Sequence, residues 1–199
     1  MKKLFLALTI IALPLIFTSC GDDDPTDILS NLVGSMTMNI NGKSQTFTGV
    51  GFYTADKTTY LATANLDNVV AVKLDDVSAK TYTLGVFSDE VLSSLISGNL
   101  NLSKFDNIMA FRPNGDELYI VVTGSFKVNS ISNQMSGTFS GNAVKASYVK
   151  SLYDNGNTDY SALLSLITGS SAEVVKISGS FNAQQSNAIK NIFGNVFSK

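Results

Sequence analysis

Val122-Thr123-Gly124-Ser125-Phe126, Met135-Ser136-Gly137-Thr138-Phe139 and Ile177-Ser178-Gly179-Ser180-Phe181 are three copies of one pattern: an apolar residue, Ser or Thr, Gly, Ser or Thr, and Phe. In a strand, side chains alternate between faces, so the apolar residue, Gly and Phe share one face and both hydroxyls share the other. A glycine without Cβ leaves room for a Phe ring of the neighbouring strand to lie across its backbone. The three copies are therefore expected in one sheet, with a ligand approaching the bare glycines as the alternative reading.

Working outward, the same alternation recurs. Met36, Met38 and Ile40 alternate with polar residues, Asn41-Gly42 is a strong two-residue hairpin signal, and Phe47 lies on the return strand. Strand-like runs follow at Gly51 to Tyr53, Thr59 to Ala64, Val69 to Leu74 and Tyr82 to Phe87, which read as a meander. Ile108 to Arg112, Leu118 to Val128 and Met135 to Ser140, with turns at Pro113-Asn114-Gly115-Asp116 and Asn129 to Asn133, predict three consecutive antiparallel strands. Further strands are expected at Ala143 to Lys150 and Glu173 to Phe181.

Helical spacing is rarer. Thr26 can cap a short helix through Val33, Ser88 one from Asp89 to Ser97, and a third is expected from Tyr160 to Thr168. Ile189, Ile192, Phe193, Val196 and Phe197 predict an amphipathic C-terminal helix. The fold class expected is mainly β: an antiparallel β-sandwich or partly open barrel with two or three packed helices.

The N-terminus carries a different pattern. Lys2 and Lys3 precede the apolar run Leu4 to Phe17, which has the build of an export signal and falls short of the about 20 apolar residues a spanning helix needs. Phe17-Thr18-Ser19-Cys20 resembles the lipobox of bacterial lipoproteins, and Cys20 is the only cysteine in the 199 residues. The tract Gly21-Asp22-Asp23-Asp24-Pro25 resembles the acidic export signal of surface lipoproteins of the Bacteroidota, and the Asn-Gly hairpin and Gly-[Ser/Thr]-Phe strands resemble those of small β-rich members of that group. The resemblance implies diacylglycerol on the Cys20 sulfur, an outer-membrane location facing the cell exterior, and no activity to inherit. Three parts are expected: residues 1–19 a signal, 20–34 a lipidated acidic linker with a short helix, and 35–199 one β-rich domain ending in the amphipathic helix.

Composition excludes several chemistries. The chain has no histidine, which removes Ser-His-Asp and Cys-His catalysis and imidazole metal ligands. Arg112 is the only arginine, and loss of Lys2 and Lys3 leaves 12 basic against 16 acidic residues, a charge of −4, so nucleic acid is not an expected partner. Cofactor and metal are expected to be none beyond the lipid on Cys20.

Local motifs are weak. Ser147-Tyr148-Val149-Lys150 matches the Ser-x-x-Lys of penicillin-binding enzymes, but on the expected strand positions i and i+3 face opposite ways, and the companion motifs are missing. Asp75-Asp76, Asp89-Glu90 and Asp116-Glu117 are the visible carboxylate pairs, each placed where a turn or helix start favours acid. Asp154-Asn155-Gly156-Asn157-Thr158-Asp159 superficially suggests calcium, yet Gly156 and Thr158 fall at ligand positions of an EF-hand. Tyr148, Tyr153, Asp154, Asn155, Asn157 and Tyr160 combine aromatic faces with Asx side chains and form the candidate ligand-binding set. The leading functional expectation is a non-enzymatic surface binding or accessory module, anchored in membrane lipid, whose partner is a glycan or another envelope protein. A structural subunit of an outer-membrane assembly and a carboxylate-dependent hydrolase are the alternatives.

Overall fold

The computed structural model describes residues 33–63, 68–85, 106–155, 161, 165, 169 and 173–190. The export signal, Cys20, Asp22 to Asp24 and the expected helix at 89–97 lie outside the described residues, as do 26–32 of the first expected helix and all of the C-terminal helix beyond 190. Ser161, Ser165 and Gly169 are helical, in line with the helix expected there, and so are residues 187–190.

Ten strands are described: β1 (Ser35–Ile40), β2 (Lys43–Thr48), β3 (Val50–Ala55), β4 (Thr58–Thr63), β5 (Val69–Leu74), β6 (Thr81–Leu84), β7 (Ile108–Arg112), β8 (Tyr119–Ile131), β9 (Gln134–Lys145) and β10 (Val175–Gln185), with helix α1 (Ala146–Asp154) between the last two. Asn41 and Gly42 turn β1 into β2 with φ of 47° and 85°, the left-handed pair that matches strand twist, and Asn39 Oδ1 accepts the Gly42 N–H at 2.7 Å. β7, β8 and β9 are consecutive antiparallel partners, as expected.

The pairings β10-β3-β4-β5-β7-β8-β9 return to β10 and close a seven-strand barrel. Closure uses a feature the meander reading lacks: a short parallel pair, Gln184 with Gly51 and Gln185 with Phe52, reinforced by the Ser186 N–H donating to the Phe52 carbonyl at 2.9 Å. β5 pairs with β7, and β6 instead pairs with β8.

Two long strands carry more than the barrel. Along one edge β8 meets β7 at Tyr119 and Ile120, then β6 at Gly124 to Lys127; along one edge β10 meets β1 over Ile177 to Asn182, then β3. A bulge between Val121 and Thr123 separates the two partners of β8, the local bend such an extra residue produces. It also moves Val122 to the opposite face from Phe126, so the first repeat departs from the expected shared face while the other two keep it.

All three repeats lie in one sheet on adjacent strands. Phe181 sits opposite Gly137 and Phe139 opposite Gly179; a Cβ at Gly137 would stand 2.8 Å from the Phe181 ring, and one at Gly179 2.6 Å from the Phe139 ring. Phe126 stacks on Phe181 at 4.6 Å and on Phe139 at 6.0 Å between centroids. Such stacked pairs add about 0.5–1.5 kcal/mol beyond the burial itself. Around this triad the barrel interior is filled by Met36, Met38, Phe47, Phe52, Leu61 and Phe111, all fully buried.

A second apolar cluster lies on the other face of the wall. Ala62, Ile108, Ile120, Val122 and Val144 project outward and are covered by Val149 of α1 and by Ile189. Here the structure corrects the strand expected over Ala143 to Lys150: β9 runs unbroken from Gln134 to Lys145 and gives way to helix at Ala146. Tyr148, Val149, Leu152 and Tyr153 recur at helical spacing and seal this cluster.

Gly179→Ala is expected to destabilise the protein by about 1–3 kcal/mol, the usual cost of overpacking, because the new methyl meets both the Phe139 ring and the Thr37 carbonyl. Combining it with Phe139→Leu should recover part of that loss; strictly additive denaturation midpoints for the two substitutions would contradict the interlock.

Candidate functional site

The residues singled out in the sequence are brought together only in part. Tyr148 and Tyr153 are half-buried on α1 and pack on the outer cluster, so their rings serve the core. Asp154 ends the helix and pairs with Lys150 at 2.6 Å, while the Asn155 N–H donates to the Ser151 carbonyl at 3.2 Å. Asn157 and Tyr160 lie outside the described residues.

The helix also changes the reading of Ser147 and Lys150, which stand one turn apart rather than on opposite strand faces. They still form no nucleophile and base. Ser147 donates to Glu117 Oε1 at 2.6 Å, and Lys145 holds Glu117 Oε2 at 3.1 Å. This carboxylate, fixed beside the helix start where the exposed N–H groups favour negative charge, pins α1 to the loop before β8. Hydrogen bonds from Ser147 and Lys145 hold its pKa below the usual range.

Asp76 behaves similarly. It accepts from Lys80 at 2.8 Å, the Val77 N–H at 2.6 Å and the Ser78 hydroxyl at 3.0 Å, and these bonds, led by that from Lys80, pull its pKa down to about 2. A carboxyl so held is a poor proton donor near neutrality. Lys73, nearly buried on the outer face of β5, has its pKa lowered by desolvation against the opposing pull of Asp106 and Asp75.

What the fold does assemble is a surface. The sheet β2-β1-β10-β9-β8-β6 turns its apolar residues inward, and strand alternation sends the intervening ones to solvent. Registers align them in rows across the strands. One row runs Thr46, Thr37, Ser180, Thr138, Lys127, Thr81; the next runs Ser44, Asn39, Ser178, Ser140, Ser125, Thr83. A third runs Thr48, Ser35, Asn182, Ser136, Ser130. Lys127 is the only charged member of the three rows. Neighbouring hydroxyls repeat at about 4.8 Å across strands and about 6.8 Å along them.

Beyond the third row, toward the end of β10, lies a depression of about 430 Å³ lined by Asn133, Gln184, Gln185, Ser186 and Asn187. Gln184 is the next outward position of β10 after Asn182 and sits opposite Gln134. The β8–β9 turn is held against it by the Gln185 N–H donating to the Asn133 carbonyl at 3.0 Å, and Ser186 caps residues 187–190 through its Oγ, which accepts the Ala188 N–H at 3.2 Å. The Gln184 Oε1 is buried without a hydrogen-bond donor among the described residues. Leaving such an acceptor unpaired costs about 1–3 kcal/mol.

Most hydroxyls of the rows were visible in sequence as the polar half of an alternating strand, whereas Ser130 fell in the turn expected at Asn129 to Asn133 and belongs to β8. The alignment of the rows was not visible, because it depends on β10 inserting between β1 and β9. Comparison with protein-family models, curated proteins and solved structures returned no match.

Because the Asp76 carboxyl is held down at about 2 in the fold against an ordinary value of 3.8, its contribution to stability is present above pH 4 and is lost as pH falls through 2. Asp76→Asn should therefore differ from the parent in urea midpoint at pH 6, and the difference should shrink severalfold by pH 2. A difference that persists undiminished at pH 2 would contradict the assigned bonds.

Proposed function

We propose that the protein is a lipid-anchored cell-envelope module that binds neutral, hydroxyl-rich polymers through the outer face of the sheet β2-β1-β10-β9-β8-β6. The observation that carries this reading is the three-row array of Ser, Thr and Asn side chains. Hydroxyls and carboxamides both donate and accept, so a surface made of them complements a partner that does the same, as a neutral glycan does. A polyanion gains little from three rows that hold one lysine, and a hydrophobic partner would leave rows of hydroxyls desolvated.

A binding role also agrees with the rest of the molecule. The barrel interior is occupied by its own side chains, and Asp76 and Glu117 are committed to ion pairs. The lipobox-like Phe17 to Cys20 and the acidic Asp22 to Asp24 supply the anchor and the outward address. One acyl chain gives only marginal membrane binding, so stable tethering rests on the several chains a lipoprotein cysteine carries.

Cys20→Ser is expected to move the protein from the membrane to the soluble fraction and to abolish incorporation of labelled palmitate; unchanged fractionation and labelling would refute the anchor. The binding role is tested with the detergent-solubilised mature protein and insoluble dextran, mannan, xylan and β-glucan, against alginate as the acidic control. Retention on at least one neutral polymer should fall tenfold or more in the combined variant Thr37→Val, Thr138→Val, Ser180→Ala, with the thermal midpoint held within a few degrees. Retention on none of the four, or equal retention of the variant, would overturn the reading.

A further inference from the structure

We infer that the depression formed by Asn133, Gln184, Gln185, Ser186 and Asn187 is an end subsite that holds one terminal, uncharged sugar residue of a glycan lying along β10, across the three hydroxyl rows. This rests on the binding face proposed above and adds to it a fixed terminus and a direction.

Three observations meet there. First, the lining is made of four carboxamide side chains and a hydroxyl, with no charged residue and no aromatic ring. Such groups pair with a ligand that offers donors and acceptors in alternation, which the hydroxyls around a sugar ring do. Second, the buried Gln184 Oε1 has no hydrogen-bond donor among the described residues. A carboxylate or phosphate brings only acceptors and would set its charge against that carbonyl, whereas a sugar hydroxyl donates into it. Third, the depression continues the face: Gln184 follows Asn182 and Ser180 on the outward side of β10, so a chain running along that strand over Ser178, Ser180 and Asn182 arrives at Gln184. The volume, about 430 Å³, lies in the range of small-molecule sites of about 300–1,000 Å³.

The arrangement also explains why the chain would stop there. Beyond Gln185 the backbone leaves the sheet: the Ser186 N–H is taken by the Phe52 carbonyl and residues 187–190 turn into helix. The helix start at Ser186 and Asn187 and the β8–β9 turn at Asn133 line the depression, so the path along β10 ends there. Gln184 is a positioning and recognition residue in this scheme.

The test uses the mature lipidated protein in detergent micelles, titrated calorimetrically with the hexasaccharides of the same four neutral glycans, with a hexa-uronate as the acidic control. Gln184→Met keeps length and shape while removing the amide. It should weaken binding of the best hexasaccharide at least tenfold and raise the thermal midpoint of the ligand-free protein, because the orphaned carbonyl is gone. Asn133→Ala, at an exposed turn, should weaken the same binding severalfold without moving the midpoint. Retention of polymer on the hydroxyl rows by Gln184→Met, reduced far less than hexasaccharide binding, identifies an end subsite. Full hexasaccharide affinity in both variants, with polymer retention still sensitive to Thr37→Val and its companions, would overturn the subsite and leave the face standing. Absence of binding to every neutral glycan would overturn both.

Discussion

The interlock of Phe139 over Gly179 and Phe181 over Gly137 is the constraint on which the rest of the molecule depends. Two strands exchange rings across each other's bare backbone, so β9 and β10 can pair in one register only. A slip by one residue would turn every ring to solvent and every hydroxyl into the core. Because β10 also pairs with β1 and β3, that single register fixes the position of the β1–β2 hairpin, the closure of the barrel and the alignment of the outward rows.

The two faces of the sheet are consequences of one alternation. Burying Phe126, Phe139 and Phe181 obliges Ser125, Thr138 and Ser180 to face water, and short hydroxylated side chains with branched neighbours tolerate a strand surface well. The branching of β8 and β10 then widens this face beyond what the seven barrel strands would offer, since β1, β2 and β6 are added at its margins.

The legible parts of the sequence were the local ones. Val69 to Leu74 and Ile108 to Arg112 match their strands residue for residue, because each is a short apolar run bounded by turn residues. The β1–β2 hairpin followed from Asn41-Gly42, and the packing of a ring over glycine followed from the repeats at Gly137 and Gly179, whereas Gly124 meets only the backbone of Ser140 and Gly141. The segment after Lys145 misled because Tyr148 and Val149 favour strands; its helix is set by distant partners, the Leu118 carbonyl that accepts the Ala146 N–H and the Glu117 carboxylate that takes Ser147. The bulge that reverses Val122 and the parallel contact of Gln184 and Gln185 with β3 leave no local pattern. The candidate surface was half legible: most of its hydroxyls could be read, but not the order of strands that lines them up. The amide depression was illegible for the same reason, as Asn133 meets residues some fifty positions later.

β10 follows all the other described strands in the chain, yet it is the one that joins β1, β9 and β3. Until it arrives, the ring is open, the β1–β2 hairpin has no further strand to pair with and Gly137 of β9 has no ring to receive. Folding is therefore withheld by topology until nearly the whole chain is at hand, and the many distant pairings make it slow once begun. For a chain proposed to cross a membrane unfolded, that delay keeps the polypeptide threadable until its last strand has passed through.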